Sequence, residues 1–377
     1  MPDQAISDRS MMARALQLAT KGLYTTDPNP RVGCVLVREG RIVGEGWHVR
    51  AGEGHAEVNA LLQAGEQSRG ATAYVTLEPC SHTGRTPPCA DALIAAGVVR
   101  VVAAMQDPNP LVAGRGLERL RAAGIDVHCG VLEAEAGALN PGFIKRMQTG
   151  LPFVRLKLAM SMDGRTAMAS GESQWITGPE ARADVQRLRA RSSAVISGAD
   201  AVLLDNSALT VRSAQLGLPD AQATAAAESQ PLRVLVDGGL RVPLSSRLFQ
   251  QAGPVLVACR LGETPVEDYR AAGAELLTLP RGDGQYVDLE ALLRLLATRS
   301  CNEVLVETGA GLAGAFLQAG LVDELIVYMA PRLLGSLARP LLELPFNSMA
   351  EAMQLDVIDM RVVGRDWRIT ARPVLPF

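Results

Sequence analysis

Apolar positions along this chain fall into two alternating series, each mixing short continuous runs with longer stretches of helical spacing. In the first series, residues 10–21 carry apolar side chains at helical intervals, and residues 32–37 and 41–47 follow as strands. His55-Ala56-Glu57-Val58-Asn59-Ala60-Leu61-Leu62-Gln63-Ala64 is a short apolar helix, with Gly65 placed to end it. A buried-strand run at 73–77 precedes a second helix at 90–96, opened by Pro87-Pro88-Cys89 and stopped by Gly97. A strand at 99–104, a helix at about 116–123 and a strand at 126–129 close this half. That order predicts a three-layer α/β/α sandwich with its site at strand ends.

Arg146-Met147-Gln148-Thr149-Gly150-Leu151-Pro152 reads as a linker, which sets the expected domains at 1–150 and 151–377. The second series opens with a buried strand at 153–159. Strands recur at 194–197, 233–237, 255–258, 275–279, 303–307 and 324–329, mostly separated by helical patterns. The tail alternates over 355–363 and 367–372 as a final hairpin. Residues 213–231 are rich in Ala, Gln and Ser, lack a clear period, and are expected to form a surface loop. No internal repeat relates the halves, so two different α/β folds are expected. The chain's 377 residues are large for one core and comfortable for two.

Composition narrows the partners. Hydrophobic residues make up 48% and charged residues 20%, enough to bury substantial cores, and the net charge is −3. That balance, with 4% aromatic residues, opposes a nucleic-acid-binding surface, which needs cationic grooves and stacking platforms. The start, Met1-Pro2-Asp3-Gln4-Ala5, has neither a basic n-region nor an apolar h-region, and no apolar run reaches membrane-spanning length. A cytoplasmic protein with no membrane partner is expected. Six cysteines show no dense framework of pairs, so disulfides are not expected. Cys34 and Cys259 lie in apolar runs and read as core.

His55-Ala56-Glu57, followed by Pro79-Cys80 and then Cys89, carries the chemistry. A zinc ion that does chemistry has three protein ligands and keeps a fourth position for water. One imidazole (His55) and two thiolates (Cys80, Cys89) meet that count. Glu57 then lies close to the metal without binding it, as a general acid–base does in zinc-dependent nucleobase deaminases. His55 and Cys89 fall at helix N-termini and Cys80 just before one, where the helix dipole favours thiolate. The alternatives are a pair of buried cysteines or a closed structural zinc with His82 as fourth ligand.

Gly309-x-Gly311-x-x-Gly314 follows a strand and leads into a helix, a weak signal for pyrophosphate binding that a plain tight turn would also explain. It stands late in its domain, and no ribose-binding acid stands about twenty residues on. A Rossmann unit is therefore rejected, while dinucleotide binding is kept. Arg189 reads first as one more solvated cation beside Arg182, Arg187 and Arg191 and only second as a phosphate ligand, and Arg212 is no clearer. Trp175 reads as core and Ser173 as a cap or turn residue. Lys157 is harder to dismiss, because a lone lysine on a buried strand is rare.

Eight residues separate Cys80 from Cys89, where the general deaminase signature has two. With this spacing, residues 76–89 (Thr76-Leu77-Glu78-Pro79-Cys80 to Pro87-Pro88-Cys89) resemble the deaminase half of the bifunctional riboflavin-biosynthesis deaminase/reductase family. Asp27-Pro28-Asn29-Pro30-Arg31-Val32-Gly33 and Met105-Gln106-Asp107-Pro108-Asn109-Pro110 match it too. Leu156-Lys157-Leu158-Ala159-Met160-Ser161-Met162-Asp163-Gly164-Arg165 and Gly171-Glu172-Ser173-Gln174-Trp175-Ile176-Thr177 resemble its reductase half. The resemblance runs over essentially the whole chain.

It implies a cytidine-deaminase-like sandwich followed by a dihydrofolate-reductase-like domain that uses NADPH. Ala159, Trp175, Ala201, Asp205, Gly238 and a loop of Gly309, Ala310, Gly311, Leu312, Ala313, Gly314 and Ala315 would touch the cofactor. Ser173, Arg189, Leu209, Arg212 and Glu307 would touch the substrate, a small phosphorylated pyrimidine. Asn29, and with it Glu78, would lie in the deaminase pocket. Lys157 would help open or orient the substrate's sugar ring. Ser207 stands where the family has proline. Family members form homo-oligomers through the reductase domain, a dimer above all. The apolar run at 321–329 reads as core before it reads as that interface. Two rivals stand beside this reading: a nucleic-acid-editing deaminase, and a non-catalytic nucleotide-sensing second domain.

Overall fold

Alternate side chains on the inner strands of the first unit's sheet reach two different helical layers. Strands β1 (Gly33–Arg38), β2 (Arg41–Trp47), β3 (Thr72–Val75), β4 (Arg100–Ala103) and β5 (Asp126–Cys129) form one sheet in the order β2-β1-β3-β4-β5. β1 is antiparallel to β2 and β3, whereas β3, β4 and β5 run parallel. Cys34, Leu36, Ala73, Val75, Val101 and Ala103 pack with α2 (Ala56–Ala64), α3 (Cys89–Ala95) and α4 (Arg115–Ala122). The intervening Val35, Tyr74 and Val102 pack with α1 (Pro2–Thr20), α5 (Glu133–Leu139) and α6 (Pro141–Thr149). This period of two produces the expected α/β/α sandwich. In the computed structural model the described residues are 2–81, 88–110, 112–260, 266–282 and 286–374, with side chains from Asp8 onward. The chain divides into two units, Met1–Gly150 and Leu151–Phe377.

The second unit is built on parallel strands β6 (Phe153–Ser161), β8 (Ala194–Gly198), β9 (Leu232–Val236), β10 (Val255–Arg260), β11 (Ala274–Leu279), β12 (Glu303–Glu307) and β13 (Glu324–Ala330). The terminal hairpin, β15 (Gln354–Val363) and β16 (Asp366–Val374), extends it antiparallel, in the order β11-β10-β9-β8-β12-β6-β13-β16-β15. β7 (Arg165–Ala167) and β14 (Arg339–Pro340) pair separately. Val154, Leu156, Ile196, Val234, Val304 and Val306 face α12 (Leu289–Thr298) and α13 (Ala310–Gln318). Val195, Leu235, Val257, Leu305 and Ile326 face α7 (Pro179–Ala190), α8 (Ala199–Asp205), α10 (Arg247–Gln250) and α11 (Val266–Ala271).

Three expectations need correction. The region 213–231 is not wholly loop, because α9 (Asp220–Glu228) crosses it with Ala223 and Ala226 buried one turn apart. The linker is shorter than read: α6 runs through Thr149, and Gly150, at φ 70°, ends it in the left-handed conformation that glycine adopts freely. Gly309 to Ala315 is not a loop but the N-cap and first two turns of α13. The run at 321–329 is core as expected, with Leu325 to Tyr328 buried in the sheet.

Candidate zinc centre and cofactor cavity

The metal-binding helix reaches its place because β2 has glycine where it crosses α2. A Cβ on Gly44 would come within 2.3 Å of the Ala60 carbonyl oxygen, and one on Gly46 within 2.3 Å of that of Ala56. The helix therefore lies directly on the strand, with His55 as its N-cap and Glu57 in its first turn. Gly46→Ala is expected to force the two apart at an overpacking cost of roughly 1–3 kcal/mol. Thermal unfolding and zinc content of the purified variant should both fall. Parent values for both would show that the contact can relax freely.

Cys80 sits in the loop after β3, and Cys89 opens α3 and donates its backbone N–H to Cys80 Sγ at 3.3 Å. His55 Nδ1 is 3.2 Å from Cys89 Sγ and 3.6 Å from Cys80 Sγ, and the three donor atoms lie within 4.8 Å of one another. Tetrahedral zinc with ordinary Zn–S and Zn–N bonds needs N···S edges of about 3.6 Å. One nitrogen and two sulfurs at these spacings fit that ion. Among the described residues the group holds these three ligands. His82, the residue a closed site would require, lies outside the described residues.

Glu57 is buried, and burial, with the neighbouring Cys80 thiolate, pushes its carboxyl up to about 7. A carboxyl poised there takes up and releases a proton at neutral pH. The thiols divide their acidity unequally. The Cys89 S–H and His55 bring Cys80 down to about 4, and Cys89 is raised in turn.

Two neighbours have roles set by segments distant in sequence. His48 is buried, its Nδ1 3.1 Å from the Gly54 carbonyl and its Nε2 3.1 Å from the Asn29 amide nitrogen. Burial, partly offset by the Gly54 hydrogen bond, lowers its pKa, so the ring is neutral: Nδ1 donates and Nε2 accepts. It meets His55 edge-on with 5.3 Å between ring centres, and its Nε2 holds the Asn29 amide. No motif marks His48. Glu78 is otherwise engaged. Its carboxylate accepts backbone N–H groups from Asp107 (3.1 Å), Gly114 (2.9 Å), Gly116 (2.8 Å) and Leu117 (3.3 Å). It clamps the loop that carries Asp107-Pro108-Asn109 and holds the start of α4.

The second unit holds a cavity of about 1130 Å³ over the carboxyl ends of its parallel strands. All five expected substrate residues line it: Ser173, Arg189, Leu209, Arg212 and Glu307. So do Ala159, Trp175, Ala201, Asp205, Gly238, Gly309, Ala310, Gly311 and Leu312, but Ala313, Gly314 and Ala315 do not, because α13 turns them toward the core. Trp175 is 59% exposed, under the Arg182 guanidinium at 4.7 Å, and so is not core. Ser173 Oγ donates to Asp205 at 2.7 Å, tying an expected substrate residue to an expected cofactor residue. Leu209 has φ 55° and its side chain packs in the core, so it offers the cavity its backbone.

Arg189 is not a free guanidinium. Its Nε and a terminal nitrogen donate to Glu307 at 2.5 and 2.9 Å, and its other terminal nitrogen donates to the Thr210 carbonyl at 3.1 Å. Lys157 pairs in register with Glu307 across β6 and β12 and lines the same cavity. Burial lowers its pKa, against the pull of Glu307. The three form one charged cluster.

Residues 5–105 match the family described as the cytidine and deoxycytidylate deaminase zinc-binding region, and residues 152–369 match the RibD C-terminal domain. The riboflavin biosynthesis protein RibD of Escherichia coli is 55% identical over 368 residues, covering 96% of this chain and 98% of that protein. RibD of Haemophilus influenzae is 50% identical, with 97% of each chain covered. Among solved structures, Acinetobacter baumannii RibD aligns with a TM-score of 0.90 at 47% identity, covering 98% of this chain and all of that one. A Thermotoga maritima diaminohydroxyphosphoribosylaminopyrimidine deaminase/5-amino-6-(5-phosphoribosylamino)uracil reductase aligns at 0.83 and 33% identity, with 98% and 100% covered.

Proposed function

The chain belongs to the RibD family of bifunctional riboflavin biosynthesis proteins, and we propose that its two units divide the two reactions near residue 150. It is a deaminase and a reductase. The first reaction hydrolyses the amino group from diaminohydroxyphosphoribosylaminopyrimidine. The second reduces the ribosyl group of 5-amino-6-(5-phosphoribosylamino)uracil to a ribityl chain.

The observation that supports the first assignment is the group of three ligands, His55, Cys80 and Cys89, beside a buried carboxyl titrating at about 7. Zinc bound there supplies the Lewis acidity that makes water a nucleophile near neutral pH. Glu57 takes the proton of the attacking water and delivers it to the departing amine. His48 keeps Asn29 turned toward the pyrimidine.

In the second unit NADPH supplies the hydride. The cavity's shape, with Gly309 at the open N-terminus of α13, supports a dinucleotide along the strand ends. Lys157, the register neighbour of Glu307 and a lining residue of the cavity, is placed to pass a proton to the ring oxygen as the sugar opens. Arg212 supplies a cation for the substrate phosphate. The protein works in the cytoplasm as a homo-oligomer, with a dimer favoured. Its edge strand β15 supports that assembly: Leu355, Val357, Ile358, Met360 and Val362 are between 42% and 67% exposed, more apolar edge than a lone sheet leaves open. No helix among the described residues is long and apolar enough to cross a membrane.

The test separates the units. A fragment beginning at Leu151 is expected to fold, to bind NADPH by fluorescence, and to reduce deaminated substrate with a zinc chelator present. The full chain in chelator should lose deamination alone. A fragment that stays unfolded at every NADPH concentration would show that the halves share a core. A folded fragment without NADPH binding would favour a nucleotide-sensing module instead.

A further inference from the structure

Asn206 to Arg212 form neither helix nor strand, so their backbone groups have no ladder to join. Side chains supply the partners instead. Arg189 donates to the Thr210 carbonyl at 3.1 Å, and Gln186 Oε1, also on α7, accepts the Arg212 N–H at 3.0 Å. Between them Gln230 grips Val211 twice. Its Oε1 accepts the Val211 N–H at 2.9 Å, and its Nε2 donates to the Val211 carbonyl at 3.0 Å. The same Nε2 donates to the Ala227 carbonyl, near the end of α9, at 2.8 Å. Arg187 closes the stretch by donating to the Leu216 carbonyl at 2.9 Å.

Gln230 does for this segment what a neighbouring strand would do. A primary amide offers a donor and an acceptor side by side, so it can satisfy both backbone groups of one residue. Pro231 and β9 follow at once, which holds the backbone of Gln230 extended and fixes the base of the clamp. The Val211 side chain is buried. Arg212 comes next with φ −117° and ψ 112°, an extended conformation in which successive side chains point opposite ways. With Val211 turned into the protein, Arg212 is turned to the cavity, which it lines. Gln230 is not among the lining residues, so it reaches that cavity only through the backbone it holds.

We propose that Gln230 is a positioning residue for the reduction: it fixes the backbone from which Arg212 reaches the substrate phosphate, and so sets the preference for the phosphorylated substrate over its dephosphorylated form. This rests on the reading of Arg212 as the cation for that phosphate. A guanidinium carried on a loose segment would have to be ordered at each binding event, and the clamp removes that cost in advance.

The experiment uses the full-length protein, the deaminated substrate with and without its phosphate, and inorganic phosphate as a competing inhibitor. Gln230→Met keeps the length of the side chain and loses both hydrogen-bonding groups. It is expected to raise KM for the phosphorylated substrate, and Ki for inorganic phosphate, by about tenfold. The kcat, the NADPH Kd and the KM for the dephosphorylated substrate should stay within about twofold. Gln230→Glu, which keeps the acceptor and loses the donor, should shift the same constants in the same direction. A variant that melts below the parent is assayed below its own transition. Combined with Arg212→Ala, either change should add less than about twofold to the KM of Arg212→Ala alone, because the clamp acts through that guanidinium. Additive losses in the double variants, or an equal rise in KM for the dephosphorylated substrate, would make Gln230 a purely structural residue and overturn the proposal. Parent KM in both Gln230 variants, while Arg212→Ala raises it, overturns this proposal alone. Parent KM in Arg212→Ala overturns the reading of Arg212 and the proposal with it.

Discussion

Glu57→Gln is expected to retain stoichiometric zinc and to lose deamination by at least about a hundredfold, the usual scale for removing a general acid–base. The amide keeps the shape of the side chain in a buried site but cannot carry a proton near pH 7. Cys89→Ser, by contrast, is expected to lose both zinc and deamination, because a hydroxyl replaces thiolate poorly. The pair separates proton transfer from metal binding when zinc analysis is set beside rate. Near-parent deamination in the glutamine variant would place the proton shuttle elsewhere, and full zinc in the serine variant would remove Cys89 from the ligand set. Reduction of pre-deaminated substrate should be untouched in both.

Arg189→Met is expected to have the next largest effect, and on stability before affinity. The family resemblance implies a substrate contact for this guanidinium, and its loss would then raise KM. In the fold it is committed to Glu307, with side chains 12% and 9% exposed. Breaking a buried pair by removing one partner costs about 3–5 kcal/mol. Lys157, the register neighbour of Glu307, should recover part of that. Burial pushes the Glu307 pKa up, but Arg189 and then Lys157 outweigh it and hold it below the usual carboxylate range. The pair's contribution is therefore full at neutral pH and lost as pH falls through the Glu307 folded pKa. Urea unfolding should show a large parent–variant gap at pH 7 that narrows in acid. A variant as stable as the parent that changes only KM would return Arg189 to the substrate.

The grouping of His55, Cys80 and Cys89 was legible because it needs only short-range signals: a helix start, a strand end and a proline before a second helix. Features that depend on distant segments were not. Glu78 sits beside a zinc ligand in sequence, yet its oxygens are taken by backbone groups 29 to 39 residues on. His48 has no motif, and its roles come from Gly54 and Asn29. The glycine pattern at 309–314 mixes two causes. A Cβ on Gly309 would meet nothing within 4 Å, and this glycine faces the cavity, whereas a Cβ on Gly314 would meet the Glu343 carbonyl at 2.0 Å. One glycine opens onto the cavity and the other serves packing. α9 escaped notice because its alanines give almost no contrast between faces, although Ala223 and Ala226 are buried.

The position of β12 bears on how the chain is made. It lies between β6 and β8 at the centre of the sheet, although it is formed by residues 303–307, after five of the strands that surround it. A ribosome that has released residues up to 300 has delivered β6, β8, β9, β10 and β11, but not the strand that joins the first to the rest. The nascent reductase unit therefore carries two unpaired apolar edges through most of its synthesis, while the deaminase unit, its sheet complete by residue 129, has everything it needs to close. Stalled or truncated products ending before Glu303 should be clients of chaperones and proteases in their second half alone.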